Sequence, residues 1–148
     1  MSFKATPDHF FIVGILLAVV FHLLIPLRQL VIFPYKLIGL LLVVAGYFLV
    51  SKTNAILARH QTSMQPFEPS TAFISTGPFR FSRNPIYLGM ALILFGFAWV
   101  LGSVSSFAVV VGFVICISVL VIPDEERALE KAFNEEYLEY KRKVRRWV

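Results

Sequence analysis

The residues able to do chemistry cluster in two short polar segments, Gly77-Pro-Phe-Arg-Phe-Ser-Arg-Asn-Pro-Ile-Tyr87 and Asp124-Glu-Glu126. The first offers Arg83, Asn84 and Tyr87: a fixed cation, an amide that both donates and accepts, and a phenol. The second offers Glu125 and Glu126, carboxylates suited to cations or hydroxyl groups. An apolar stretch separates the two segments, and if it folds as a helical hairpin its ends meet. Arg83, Asn84 and Tyr87 then lie beside Glu125 and Glu126, in a polar pocket under a proline-rich loop able to close over a ligand. Taken alone, the same residues also fit a plainer arrangement in which Arg83 anchors on phosphate headgroups and the acidic pair caps a helix. Elsewhere the chain is poor in reactive groups. His9, His22 and His60 are far apart and Cys116 is alone, so metal-ligand spacing, a disulfide and a nucleotide-binding glycine loop are all missing.

The elements that must position these residues are membrane spans. The chain has 148 residues, 57% of them hydrophobic and 16% charged, and a mean hydropathy of +0.75. That composition predicts an all-α integral membrane protein rather than a soluble domain. Phe10 to Leu27 and Leu37 to Ala58 read as the first two spans, the former as an uncleaved anchor since it lacks a small-residue cleavage site. Ile86 to Leu101 and Phe107 to Ile122 read as a second pair, joined by a turn at Gly102, Ser103, Ser105 and Ser106. His22 reads as a packed or interfacial histidine. Small residues such as Gly89, Gly96 and Gly112 permit close helix approach. The organisation is a single unit over 1–148: a hairpin at 1–58, a polar loop at 59–85, a hairpin at 86–122 and a C-terminal helix at 123–148.

Charge orients this frame. Residues 124–148 hold 7 acids and 7 bases, and the first 123 residues hold 7 bases against 2 acids. The bases are not spread as a nucleic-acid-binding domain requires, so no nucleic-acid partner is expected. The Gly102 turn has none, whereas the 59–84 loop and the C-terminus are rich in them, which places both termini and the polar pocket on the cytoplasmic side, with Arg28 and Lys36 as the exceptions. Pro123 is expected to end the fourth span. Ala128, Leu129, Ala132, Phe133, Tyr137, Tyr140 and Val144 then trace one face of an amphipathic helix. Its terminal Lys141, Arg142, Lys143, Arg145, Arg146 and Trp147 suit anionic headgroups, with no site residue expected beyond Val144.

At these residues the chain resembles the isoprenylcysteine carboxyl methyltransferase family, together with the related phospholipid N-methyltransferases. The segment from Thr71 to Gly89 looks like that family's Gly-aromatic, then Arg-His/Asn-Pro-x-Tyr-x-Gly signature. Glu125-Glu126, followed by Phe133-Asn-Glu-Glu-Tyr-Leu-Glu-Tyr140, is similar to its acidic pair and Phe-Gly-Glu-Glu-Tyr-x-x-Tyr ending. The resemblance covers about the last 85 residues; the first 60 match only as generic spans. It implies S-adenosylmethionine as cofactor. It transfers cofactor contacts to Thr71, Ala72, Phe73 and Ile74 through their backbone, and to Phe79, Asn84, Pro85, Ile86, Tyr87 and Glu125. In this assignment Glu125 meets the ammonium or ribose hydroxyls, Arg83 or nearby amides meet the carboxylate, and Phe79 or Tyr87 packs on the adenine or sulfonium.

Two positions depart from the carboxyl methyltransferases. Asn84 replaces His and cannot titrate, which favours binding over proton transfer, and Val121 stands where an Arg would recognise a substrate carboxylate. Arg83 and Glu126 are the catalytic candidates, with Tyr87 a further helper if the acceptor is an amine. The function implied is methyl transfer from S-adenosylmethionine to a lipid or lipid-like acceptor, carboxylate or amine, at the cytoplasmic interface. The alternatives are a non-enzymatic lipid-binding scaffold, or a relative of the NADPH-dependent sterol reductases.

Overall fold

The computed structural model describes residues 6–25, 27–60 and 73–148. They form α1 (Pro7–Leu24), α2 (Leu37–Arg59), a 3-10 turn (Gly77–Arg80), α3 (Pro85–Leu101), α4 (Val104–Cys116), a π-helical segment (Ile117–Val121) and α5 (Ile122–Lys143). The architecture is all-helical. α1, α2 and the continuous helix beginning at Val104 are long and apolar enough to cross a bilayer, and α3 is a slightly shorter apolar helix. Pro7 and Pro85 sit in the first turns of α1 and α3, where a missing N–H costs nothing. Gly102, at φ +80, stops α3 with its N–H on the carbonyl of Ala98. Outward-facing Leu16, Leu23, Leu41, Phe48, Val111 and Val119 stay exposed, as lipid-facing positions must.

α3 is central. It packs against α2 on one side and against α1 and α4 on the other, and α1 also packs on α4. The α2–α3 contact is built on glycine: a Cβ at Gly39 would lie 2.5 Å from the carbonyl oxygen of Gly96, and one at Gly46 would lie 2.7 Å from that of Gly89. The two pairs repeat every seven residues in opposite directions, the register of antiparallel helices in backbone contact. At one end of the bundle the 27–36 connection covers the α3–α4 turn. The N–H of Leu30 donates to the carbonyl of Gly102 at 2.8 Å, and Lys36 Nζ donates to that of Leu101 at 3.3 Å. His22 Nδ1 lies 3.0 Å from Ser103 Oγ within a buried serine cluster. The opposite end gathers the start of α1, the end of α2, the start of α3 and all of α5.

The structure refines two expectations at that second end. Pro123 stands in the first turn of α5, where a new helix was expected to start, but the chain runs into it from α4 without leaving helical structure. The preceding turn is π, with the N–H of Ile122 on the carbonyl of Ile117. The wider turn relieves the clash that a proline ring makes with the carbonyl four residues back in a regular α-helix. The C-terminal helix, expected to be uninterrupted, breaks at Asn134, whose φ of 43 and ψ of −120 are far from helical. Beyond the break the chain folds back. Lys141 pairs with Glu130, eleven residues earlier, which a straight helix would hold about 16 Å away along its axis. Such backbone angles are nearly exclusive to glycine, the residue the resembled motif carries there. Asn134→Gly is therefore expected to stabilise the protein by about 1 kcal/mol and Asn134→Ala to destabilise it, as read from melting temperatures in one detergent.

Candidate active site

Neighbouring residues on a helix point about 100° apart, so Glu125 and Glu126 at the start of α5 enter different surroundings. Glu126 is buried and faces cations. Arg83 Nη1 lies 2.9 Å from its Oε1, Arg146 donates Nε to Oε1 at 3.1 Å and Nη2 to Oε2 at 2.8 Å, and Lys141 Nζ stands 3.8 Å from Oε2. Burial by itself would raise its pKa. The Arg146 hydrogen bonds and the charges of Arg83, Arg146 and Lys141 outweigh that and hold it below the usual carboxylate range. The buried Tyr137 hydroxyl stands beside Arg83, its pKa raised by burial and by the Glu126 charge.

Among the described residues Glu125 has one hydrogen-bond partner. The hydroxyl of Tyr87, from the first turn of α3, donates to its Oε1. Its Oε2 is buried and has no hydrogen-bond partner among the described residues. Burial, then the neighbouring Asp124 and Glu126 charges, push its pKa up to about 7 against the lowering effect of the Tyr87 hydrogen bond. Two adjacent carboxylates thus differ in kind: Glu126 is ionised and fully compensated, whereas Glu125 titrates near neutrality and keeps an oxygen free.

The structure brings Arg83, Asn84, Tyr87, Glu125 and Glu126 to one end of the bundle, as the hairpin reading expects. Pro85 is fully buried at the start of α3, and Ile86 is half-buried between two apolar clusters. Phe79 and Ile74 are buried with Leu57, Tyr137 and Tyr140, so the Phe79 ring faces protein on its packed sides. Phe73 packs its ring 5.3 Å from that of Tyr140 and 5.6 Å from that of Phe133. Tyr140 hydrogen-bonds the carbonyl of Phe79 at 2.7 Å. Thr71 and Ala72 lie outside the described residues.

The basic C-terminus does not simply lie on the membrane surface. Lys141 and Arg146 are partners of Glu126, and the main chain of the tail holds the first polar segment. The N–H of Arg83 donates to the carbonyl of Arg145 at 3.0 Å, and the carbonyl of Arg146 accepts from Asn84 Nδ2 at 3.0 Å and from Ser82 Oγ at 3.3 Å. The Trp147 indole N–H donates to Ser118 Oγ, in the π segment, at 3.2 Å. Sequence reasoning missed Arg146 because its partner is twenty residues earlier. The one available signal was an Asn in the place where the resembled motif has a Gly. Arg142 and Lys143 fit the surface role, being exposed and making only loose pairs with Glu135 and Glu139.

The sequence profile of the phospholipid methyltransferase family matches residues 35–136, from the start of α2 through both polar segments. An uncharacterized protein of Haemophilus influenzae is 40% identical over 63 residues, which make up 43% of this chain and all of that protein. No solved structure matches. The profile spans more than half of the chain and contains every residue of the Tyr87–Glu125 and Arg83–Glu126 pairs, so this multi-pass membrane protein belongs to the phospholipid methyltransferase family, a group of membrane methyltransferases that act on lipids.

Proposed function

We propose that the protein transfers a methyl group from S-adenosylmethionine to a lipid or lipid-like acceptor at the cytoplasmic face of the membrane. The observation that carries this reading is the buried, unpartnered Oε2 of Glu125 beside the Tyr87 hydroxyl. A carboxylate left so needs a cation or a hydroxyl, and the cofactor offers an ammonium, a sulfonium and ribose hydroxyls. When bound, the cofactor supplies an electrophilic methyl group on its sulfonium.

The chain's own residues then bind and orient. Glu125 holds a positive or hydroxyl group, the first turn of α3 offers main-chain N–H groups and its positive dipole end to a carboxylate, and Tyr87 keeps Glu125 in place. A carboxylate acceptor is already ionised and needs only alignment and exclusion of water. An amine acceptor must lose its proton to solvent before it docks, because the charge of Glu126 is committed to three cations and the oxygens of Glu125 are taken by Tyr87 and by the cofactor. The excess of bases at this end of the bundle supports a cytoplasmic site, and the lipid-facing flanks of α1 and α2 let an acceptor arrive from the bilayer.

Titrating purified protein with S-adenosylmethionine and with NADPH tests the reading. Binding of the first alone is expected; binding of neither points to a scaffold, and binding of NADPH to a reductase. Incubation of a lipid extract with methyl-labelled cofactor then identifies the acceptor. Asn84→Ala removes the side chain that ties the motif turn to the tail, and is expected to weaken S-adenosylmethionine binding by about 1 to 3 kcal/mol. Asn84→His keeps a donor and should be tolerated. Calorimetry showing the Ala variant equal to the parent removes Asn84 from the site.

A further inference from the structure

The last residues of the chain touch both polar segments at once. The Arg146 guanidinium grips Glu126 through two nitrogens, while its own carbonyl accepts from Asn84 and Ser82. The preceding carbonyl, of Arg145, accepts the N–H of Arg83, and the following side chain, Trp147, bonds the π segment. We propose that Arg146 is a positioning residue for methyl transfer: its fork on Glu126 clamps the tail so that the tail's main chain holds the Asn84–Tyr87 turn in place opposite Glu125. The proposal rests on the S-adenosylmethionine reading above.

Physical chemistry separates this role from a merely structural one. Glu126 keeps Arg83 at 2.9 Å and Lys141 at 3.8 Å when Arg146 is gone, so its buried charge is not orphaned and the bundle is retained. What disappears is the bidentate restraint. Trp147 on Ser118 and the Arg83–Arg145 main-chain bond still hold the tail, but more loosely, so the carbonyl of Arg146 is no longer fixed against Asn84 Nδ2 and Ser82 Oγ. The effect belongs in the geometry of the cofactor turn more than in global stability.

The test uses the full chain in lipid nanodiscs, with Arg146→Gln, Arg146→Lys and, as a control for surface charge, Arg142→Gln. Calorimetry with S-adenosylmethionine and hydrogen exchange at residues 82–84 without ligand are both measured. Arg146→Gln is expected to bind at least tenfold more weakly, to exchange faster at 82–84 and to melt within a few degrees of the parent. Arg146→Lys, which keeps the charge but not the fork, should bind about threefold more weakly, and Arg142→Gln should match the parent. Parent-like affinity in Arg146→Gln overturns the proposal, as does weaker binding without faster exchange, or an equal loss in Arg142→Gln. If Arg146→Gln does not fold, Arg146→Lys decides by the same measurements: weaker binding supports the clamp and parity overturns it. If the parent itself binds no S-adenosylmethionine, the proposed function fails. The clamp is then judged on exchange alone, and unchanged exchange at 82–84 rejects it.

Discussion

Replacing Glu125 with Gln is expected to abolish most methyl transfer without lowering the melting temperature of the ligand-free protein. Gln keeps an oxygen for the Tyr87 hydroxyl, so the contact between α3 and α5 survives, but it carries no charge for a cationic ligand. The pH dependence sharpens the expectation. Burial, aided by Asp124 and Glu126, raises the Glu125 pKa from 4.5 to about 7 in the folded protein. A raised pKa favours the folded state when the group is protonated. The ligand-free parent is therefore most stable below pH 4.5 with respect to this group, and loses up to about 3 kcal/mol as pH climbs to 7. The Gln variant lacks that loss and should melt above the parent at pH 8. S-adenosylmethionine should bind the parent more tightly at pH 8 than at pH 6, because ionised Glu125 meets a positive group. Thermal melts at the two pH values, with and without cofactor, read all of this. A Gln variant stabilised by the cofactor as strongly as the parent reduces Glu125 to a helix cap.

Gly46→Leu is expected to prevent a stable bundle. Even a Cβ there would stand 2.7 Å from the Gly89 carbonyl oxygen and 2.9 Å from the Ile93 nitrogen, and main-chain atoms cannot move aside as a side-chain tip can. Gly46→Ala should already cost about 1 to 3 kcal/mol, the range for overpacking a close contact. The damage should reach the site as well, because pushing α3 off α2 displaces Pro85 and Tyr87 at its first turn. Gly112→Ala is the matched control: nothing lies within 4 Å of a Cβ there, so the change should be neutral or stabilise by up to about 1 kcal/mol through helix propensity. Unfolding in a detergent titration measures both. A Gly46→Leu protein as stable as the parent would show that α2 and α3 do not touch backbone to backbone.

The helical membrane architecture was legible because it depends on short-range quantities. Runs such as Leu37 to Ala58 match the thickness of a bilayer, and Gly102 and Pro85 mark where helices stop and start. The meeting of Tyr87 with Glu125 followed from connectivity, since a hairpin returns its second end to its first. Boundaries shifted by a few residues where tertiary contacts decided them: α1 ends at Leu24 instead of Leu27, as the chain turns there to cover the α3–α4 connection.

The sequence by itself determined the apolar helices, the end of the bundle where the candidate site residues gather and the residue types available there. Tertiary structure alone decided what each of them faces. Glu125 and Glu126 are indistinguishable as letters, yet one faces Tyr87 with an oxygen to spare and the other three cations, because consecutive helical side chains diverge and desolvation acts on each separately. Arg146 read as a surface base, because an uninterrupted helix would hold it about 30 Å from Glu126. The break at Asn134 returns it to 2.8 Å. A contact made by reversing the chain leaves no periodic trace in the residues between.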